Sequence, residues 1–314
     1  MRKIISFLCV IFTVTAVFAG CSDSSARSAG FSLSMVYDAH YSDMESGAVE
    51  AYDTLCNAVI GGESSITVNN AYYDDASRLF YVSFPLSQLV SDIKLNSDGS
   101  LRIIYTETTS QHRESVENFT DRVYSILSDC GYPEASKNAL LLNLYTYVSK
   151  NIKQNLEYST AYDAIVSGQG SSSSYEAAFR YLVQQAGLSA SRVYGVSYDG
   201  THFMTEVEVD GEIYYFDPCA ENAYSGGKGL SYFGMGVIGL QQIGVGREVS
   251  YSDDALIPFE ENSGRFDSLF QTVSYSYENG LISAEKSSGE ICTSAAGGCN
   301  QGRYRYFIYG IYRS

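Results

Sequence analysis

The sequence predicts an α+β protein. Three observations carry the prediction: several stretches repeat apolar residues at three- and four-residue steps, others alternate apolar and polar residues, and Asp-Gly or Asn-Gly pairs join the alternating stretches. The first pattern lays a stripe along a helix, the second gives a strand one apolar face, and the third suits the positive φ values of a tight antiparallel turn.

The chain opens with Arg2 and Lys3, an apolar run from Ile4 to Phe18, and the small residues Ala19-Gly20 before Cys21. A positive end, a short apolar core and a small-residue cleavage site fit an export signal over residues 1–20, too short and wrongly flanked for a membrane span. Phe18-Ala19-Gly20-Cys21 resembles the bacterial lipobox, in which the cysteine is lipidated and becomes the new N-terminus; Phe18 stands where Leu is usual. The alternative is ordinary cleavage that leaves Cys21 free or disulfide-bonded. Residues 21–30 are small and polar, as suits a flexible tether between a lipid and a folded domain. The expected location is therefore extracytoplasmic, on a bacterial membrane.

Residues 31–111 read as an N-terminal α+β region. Val49, Tyr52, Leu55, Cys56 and Val59 give Gly47 to Ile60 a helical stripe that Gly61-Gly62 ends. Ile66 to Tyr73 and Leu79 to Phe84, rich in β-branched and aromatic residues, read as strands. Ile93 to Leu95 and Leu101 to Tyr105 flank Asn96-Ser97-Asp98-Gly99 as a hairpin.

Residues 112–250 form the core region. Helical spacing returns over Ser115 to Leu127 and Glu134 to Ile152, broken at Gly131-Tyr132-Pro133, and again over Tyr175 to Gln185, which Gly187 stops. Val193 to Val196, Thr201 to Val209 and Glu212 to Phe216 then alternate as strands, with Asp210-Gly211 as a turn, and a Gly-rich apolar segment runs from Gly226 to Gly246. Residues 251–314 are β-rich, with a hairpin over Leu269 to Ile282 around Glu278-Asn279-Gly280 and a tyrosine-rich strand from Tyr304 to Tyr312. The 28 tyrosines suit half-buried strands first and adhesive surfaces second.

The formal charge of −16 becomes more negative once Arg2 and Lys3 leave with the signal, and no basic cluster offsets it. Such a surface repels phosphate backbones, so nucleic acid is not an expected partner. His40, His112 and His202 are the only histidines and no Cys-x-x-Cys pair occurs, so neither a metal site nor a cofactor is expected. With Cys9 and Cys21 set aside, Cys56, Cys130, Cys219, Cys292 and Cys299 make an odd set. At least one is unpaired within the monomer. A bridge between Cys292 and Cys299 would contribute about 2–3 kcal/mol by loop closure.

Three separated segments carry chemistry: Thr160 to Phe179 (TAYDAIVSGQGSSSSYEAAF), Thr201 to Met204 (THFM) and Tyr214 to Pro218 (YYFDP). Together they resemble the active-site segments of transglutaminase-like, papain-type thiol enzymes. The resemblance implies a helix carrying the nucleophile position, packed on an antiparallel sheet, and it covers about Leu156 to Asp217. Where the family has G-V-C-x-G-Y-A-x-A-F, this chain has Gly170-Ser171-Ser172-Ser173-Ser174-Tyr175-Glu176-Ala177-Ala178-Phe179. The nucleophile position thus falls on Ser172, the imidazole on His202 and the orienting carboxylate on Asp217. The chain also lacks tryptophan, so Phe203-Met204 stand where the family has an aromatic after the histidine.

If Asp210 and Gly211 are the turn, Val209 pairs with Glu212, Met204 faces Asp217 and His202 faces Cys219. His202, Met204, Glu206, Ile213, Tyr215, Asp217 and Cys219 then share one side of the sheet, with Phe203, Val207, Val209, Tyr214 and Phe216 on the core side. His202 and Asp217 become diagonal neighbours roughly 7–8 Å apart at the backbone. Ser173-Ser174-Tyr175-Glu176 also fits a capping box, so the serine run could simply start a helix.

A hydroxyl is a much weaker nucleophile than a thiol, which is partly ionised and driven further by a neighbouring imidazolium. The leading expectation is therefore an exported, membrane-tethered domain without catalysis, binding a protein, a peptide or a cell-wall component. The alternatives are a hydrolase or acyltransferase using Ser172, His202 and Asp217, and a thiol relocated to a Cys219–His202 pair.

Overall fold

The computed structural model describes residue 33 and residues 44–197, 200–245, 248–249, 256–257, 259 and 262–295. The export signal, Cys21, the tether, His40, Cys299 and the strand expected over Tyr304 to Tyr312 lie outside them.

Helix α1 (Ser46–Gly61) forms where the first stripe predicts, buries Tyr52, Leu55, Cys56 and Val59, and stops at Gly62 in the left-handed conformation. Strand β1 (Ser65–Thr67) is shorter than expected, because Asn69 accepts from the Ala71 backbone N–H at 3.1 Å and starts a 3₁₀ turn. The strand expected over Leu79 to Phe84 is instead the end of α2 (Tyr73–Ser83). Ala76, Leu79, Phe80 and Ser83 are buried at helical spacing against α1, and Asp74 and Asp75 occupy the first turn, where the helix dipole favours carboxylates. Burial of that stripe overrode the strand-like composition.

A 3₁₀ turn (Pro85–Leu89) leads to β2 (Val90–Leu95), which forms the expected hairpin with β3 (Ser100–Tyr105) through Gly99 at φ +86°. The first sheet has the order β1-β3-β2. Helices α3 (Thr109–Asp129) and α4 (Lys137–Asn151) follow, the former beginning six residues earlier than the stripe suggested. Short parallel strands β4 (Lys153–Gln154) and β5 (Gln169–Gly170) bracket α5 (Ala161–Val166).

Helix α6 (Ser172–Gln185) is the centre of the molecule, with α4, α5 and the second sheet packed around it. Phe179 is fully buried, with Tyr145 of α4 at 5.7 Å and Phe216 at 5.6 Å between ring centroids. Each such side chain contributes about 1.5–3 kcal/mol by leaving water.

The second sheet has the order β10-β9-β6-β7-β8, from β6 (Ala190–Ser197), β7 (Gly200–Val209), β8 (Glu212–Phe216), β9 (Glu248–Val249) and β10 (Leu256–Ile257). The turn at Asp210 (φ 54°) and Gly211 (φ 85°) is as expected, and so is the register from Val209 opposite Glu212 to Thr205 opposite Phe216. Helix α7 (Pro218–Ser225), just before the Gly-rich stretch, and α8 (Val237–Gln242), within it, were not anticipated. Between them Met235 returns to pair with Tyr215 through backbone bonds of 2.8 and 3.1 Å.

Both faces of this sheet are buried, against the expectation of one core face. Val207, Tyr214 and Phe216 fill one side, while Val193, Met204, Tyr215, Met235, Leu240, Val245 and Phe259 form a second cluster on the other. A third sheet, β11-β12-β13, is built from the expected hairpin β11 (Thr272–Glu278) and β12 (Leu281–Lys286) and from β13 (Ile291–Ala295).

Candidate active site

The start of β7 and the residue after β8 assemble a histidine–carboxylate pair. Asp217 immediately follows β8, and its Oδ2 lies 2.9 Å from Nδ1 of His202 on β7. The pairing is diagonal, as the register predicts. Asp217 is itself fixed at three further points. Its Oδ1 accepts from the Ala220 N–H at 2.8 Å as the N-cap of α7, its own N–H donates to the Tyr232 carbonyl at 3.1 Å, and the Tyr145 hydroxyl approaches its carbonyl at 3.4 Å. A carboxylate only accepts, so Nδ1 carries the proton and Nε2 is the acceptor of the neutral ring. The Asp217 side chain is 3% exposed and that of His202 18%, so the carboxylate is sheltered while the imidazole edge reaches solvent.

Ser172 is the first residue of α6 and is half-buried. The N-cap is Ser171, not Ser173 as the capping-box pattern suggested. The Ser171 N–H donates to the Ser174 hydroxyl at 3.1 Å, and that hydroxyl donates to the Tyr158 carbonyl at 2.8 Å. Ser171, Ser173 and Ser174 form a hydroxyl cluster that Ser172 does not join. Gly170 permits this turn, since a Cβ there would lie 2.7 Å from that of Ser174.

The structure brings His202 and Asp217 together but forms no hydrogen bond between Ser172 and either of them among the described residues. Strand alternation puts His202 on the face of Met204, whereas Thr205 on the reverse face donates to the Glu176 carbonyl of α6 at 3.4 Å. Helices α6 and α7 pack against each other, and burial, then the nearby Cys219, push the Tyr175 pKa up.

Cys219 does not stand opposite His202. Pro218 turns the chain into α7, which removes Cys219 from the strand register. Its sulfur accepts from the Gln154 amide at 3.8 Å, and burial, then the Asp217 charge, push its pKa up to about 12. A thiol so placed is protonated at neutral pH and is not activated.

Two buried charged groups near the site had little signal in the sequence. Glu176 accepts from Arg180 Nε and Arg192 Nε, both at 2.6 Å, with Glu176 and Arg180 sealed from solvent. Its carboxylate serves this network rather than the capping box. The i,i+4 spacing of Glu176 and Arg180 was the one available hint. Glu221 in α7 accepts from the Ser225 hydroxyl at 2.6 Å and the Tyr232 N–H at 2.9 Å, with the Tyr145 hydroxyl at 3.3 Å. Burial raises its pKa, and those hydrogen bonds oppose the shift.

Among the described residues, no three His, Cys, Asp or Glu side chains converge to hold a metal, and no helix is long and apolar enough to cross a membrane.

No protein-family model matches the chain, and no curated protein matches it in sequence. Among solved structures it is similar to a TGase at 16% identity and TM-score 0.29, the match covering 49% of this chain and 39% of that one. The chain thus spans well under half of that protein's length. It is also similar to a candidate cysteine protease from Cytophaga hutchinsonii at 10% identity and TM-score 0.30, covering 68% of this chain and 78% of that one.

Proposed function

We propose that this chain is an exported, lipid-anchored transglutaminase-like domain in which Ser172 occupies the position of the nucleophilic cysteine. In this reading it does not turn over substrate, and it serves as a binding module for a protein, a peptide or a cell-wall component. The observation that carries the reading is the His202–Asp217 pair, 2.9 Å apart and anchored at the start of α7. A carboxylate that fixes the tautomer and orientation of an imidazole is costly to bury and is the arrangement thiol chemistry uses.

The hydroxyl of Ser172 lacks the ionisation that makes a thiol reactive, and it forms no hydrogen bond to the imidazole. Both points favour the reading without turnover. The second reading, a hydrolase or acyltransferase with Ser172 as nucleophile, draws on the same oriented imidazole. A serine-directed fluorophosphonate separates them. The proposal expects no labelling of Ser172; labelling that disappears in Ser172→Ala would establish the serine enzyme instead.

A further inference from the structure

Glu221 stands one turn along α7 from Asp217, sealed from solvent, and grips both groups that hold the Asp217 backbone. The Asp217 N–H donates to the Tyr232 carbonyl at 3.1 Å, and the Tyr232 N–H donates to Glu221 Oε2 at 2.9 Å. The Tyr145 hydroxyl is shared between the Asp217 carbonyl at 3.4 Å and the same Oε2 at 3.3 Å. The other oxygen, Oε1, accepts from the Ser225 hydroxyl at 2.6 Å, and the Ser225 oxygen accepts from the N–H groups of Lys228 and Gly229 at 3.1 and 2.9 Å. One carboxylate thus closes the chain that leaves α7 back onto the residue that begins it.

A buried carboxylate is costly and persists where its lone pairs are used. Helix α7 does not need this one to form. Asp217 already caps its start by accepting from the Ala220 N–H at 2.8 Å, and Gly226 ends it in the left-handed conformation. What Glu221 adds is the placement of Tyr232 and Tyr145, and each of these meets Asp217.

We propose that Glu221 is a positioning residue of the candidate site: by holding Tyr232 and Tyr145 it sets where the Asp217 carboxylate stands, and so the tautomer and orientation of the His202 ring. The proposal deepens the reading above in taking the His202–Asp217 pair as the working part of the site. Its test involves neither Ser172 nor turnover nor a ligand, so its failure and that of the binding-module reading are separate results.

The test is nitrogen NMR of the His202 ring at a pH where the ring is neutral. In the wild type the Nδ1–H form should outweigh the Nε2–H form by about tenfold or more, as one hydrogen bond to a charged group supplies. Glu221→Asp keeps the charge but withdraws the carboxylate by one methylene, so Asp217 loses its setting and the Nε2–H form should become comparable to the other. Glu221→Gln removes the charge but keeps the reach and an acceptor for the Tyr232 N–H, so the wild-type ratio should persist. Val123→Ala, which opens the core at α3, should lower stability and leave the ratio alone. The wild-type ratio tests the pair, and the variant ratios test Glu221. A wild type without the Nδ1–H preference, an unchanged ratio in Glu221→Asp, an equal loss in Glu221→Gln, or the same loss in Val123→Ala would each overturn the proposal. Should Glu221→Asp not fold, Tyr145→Phe decides: it removes only the shared hydroxyl and should move the ratio toward Nε2–H, and an unmoved ratio overturns the assignment.

Discussion

Replacing Glu176 with Gln should destabilise the protein more than any exposed charge substitution can. Glu176 and Arg180 are 0% and 1% exposed and Arg192 is 20% exposed, so the substitution leaves two guanidiniums facing a neutral amide in a site with little water. Breaking a buried ion pair from one side costs roughly 3–5 kcal/mol. The partial exposure of Arg192 lets water recover some of this, which puts the expected loss near the lower bound, about 3 kcal/mol. At about 2–4 °C per kcal/mol for a chain of this size, Tm should fall by roughly 6–12 °C. Thermal unfolding by circular dichroism, with a urea titration for the free energy, measures it. Asp75→Asn is the control, because the Asp75–Arg78 pair has side chains 57% and 64% exposed and should change stability by less than about 1 kcal/mol. A Glu176→Gln midpoint indistinguishable from that of the control would refute the claim that this network ties α6 to β6 and α2.

Phe179→Ala should cost about 3–5 kcal/mol in the same assay, because the ring is fully enclosed between Tyr145 and Phe216; a loss under about 1 kcal/mol would mean that α6 is not the core helix. Glu221 should make stability fall as pH rises. Burial raises its folded pKa above the unfolded value, so the folded state holds the proton longer, and its contribution is complete below the unfolded pKa and lost as pH climbs through the folded one. Glu221→Gln should flatten that part of the stability–pH curve, and an unchanged slope would contradict the assignment. Iodoacetamide at mildly alkaline pH should modify Cys292, which is partly exposed, well before Cys219, whose pKa is pushed up to about 12; equal rates would place Cys219 at the surface. Cys21→Ala should move the protein from the membrane fraction to the soluble one, and retention on membranes would remove the lipid anchor.

Much of the fold was legible because a local pattern and its burial agree. The stripe of α1, the Asp98-Gly99 and Asn279-Gly280 turns, and the β7–β8 register follow from residue spacing alone, and the register is what puts Asp217 diagonal to His202. Leu79 to Phe84 failed as a strand because its aromatic content resembles one, while Ala76, Leu79, Phe80 and Ser83 at helical spacing settled it against α1 as the end of α2. Beyond Phe216 the strand pattern runs on to Cys219, but Pro218 has no N–H for the ladder and suits the first position of a helix. Sequence alternation could not show that the His202 face is also buried, since Met235, Val245 and Phe259 arrive from distant segments. The Arg180–Glu176–Arg192 network was hidden for the same reason, its third member lying on another element.

The most direct measurement is the reactivity of a thiol placed at the helix start. In Ser172→Cys, alkylation of that position, read by peptide mass spectrometry beside Cys219 and Cys292, reports whether the imidazole held by Asp217 acts on it. The account predicts a thiol at position 172 that reacts faster at neutral pH than free cysteine, of which only a few per cent is ionised, and that slows when His202→Ala is added. A thiol there that reacts no faster than free cysteine, and is indifferent to His202, would contradict it.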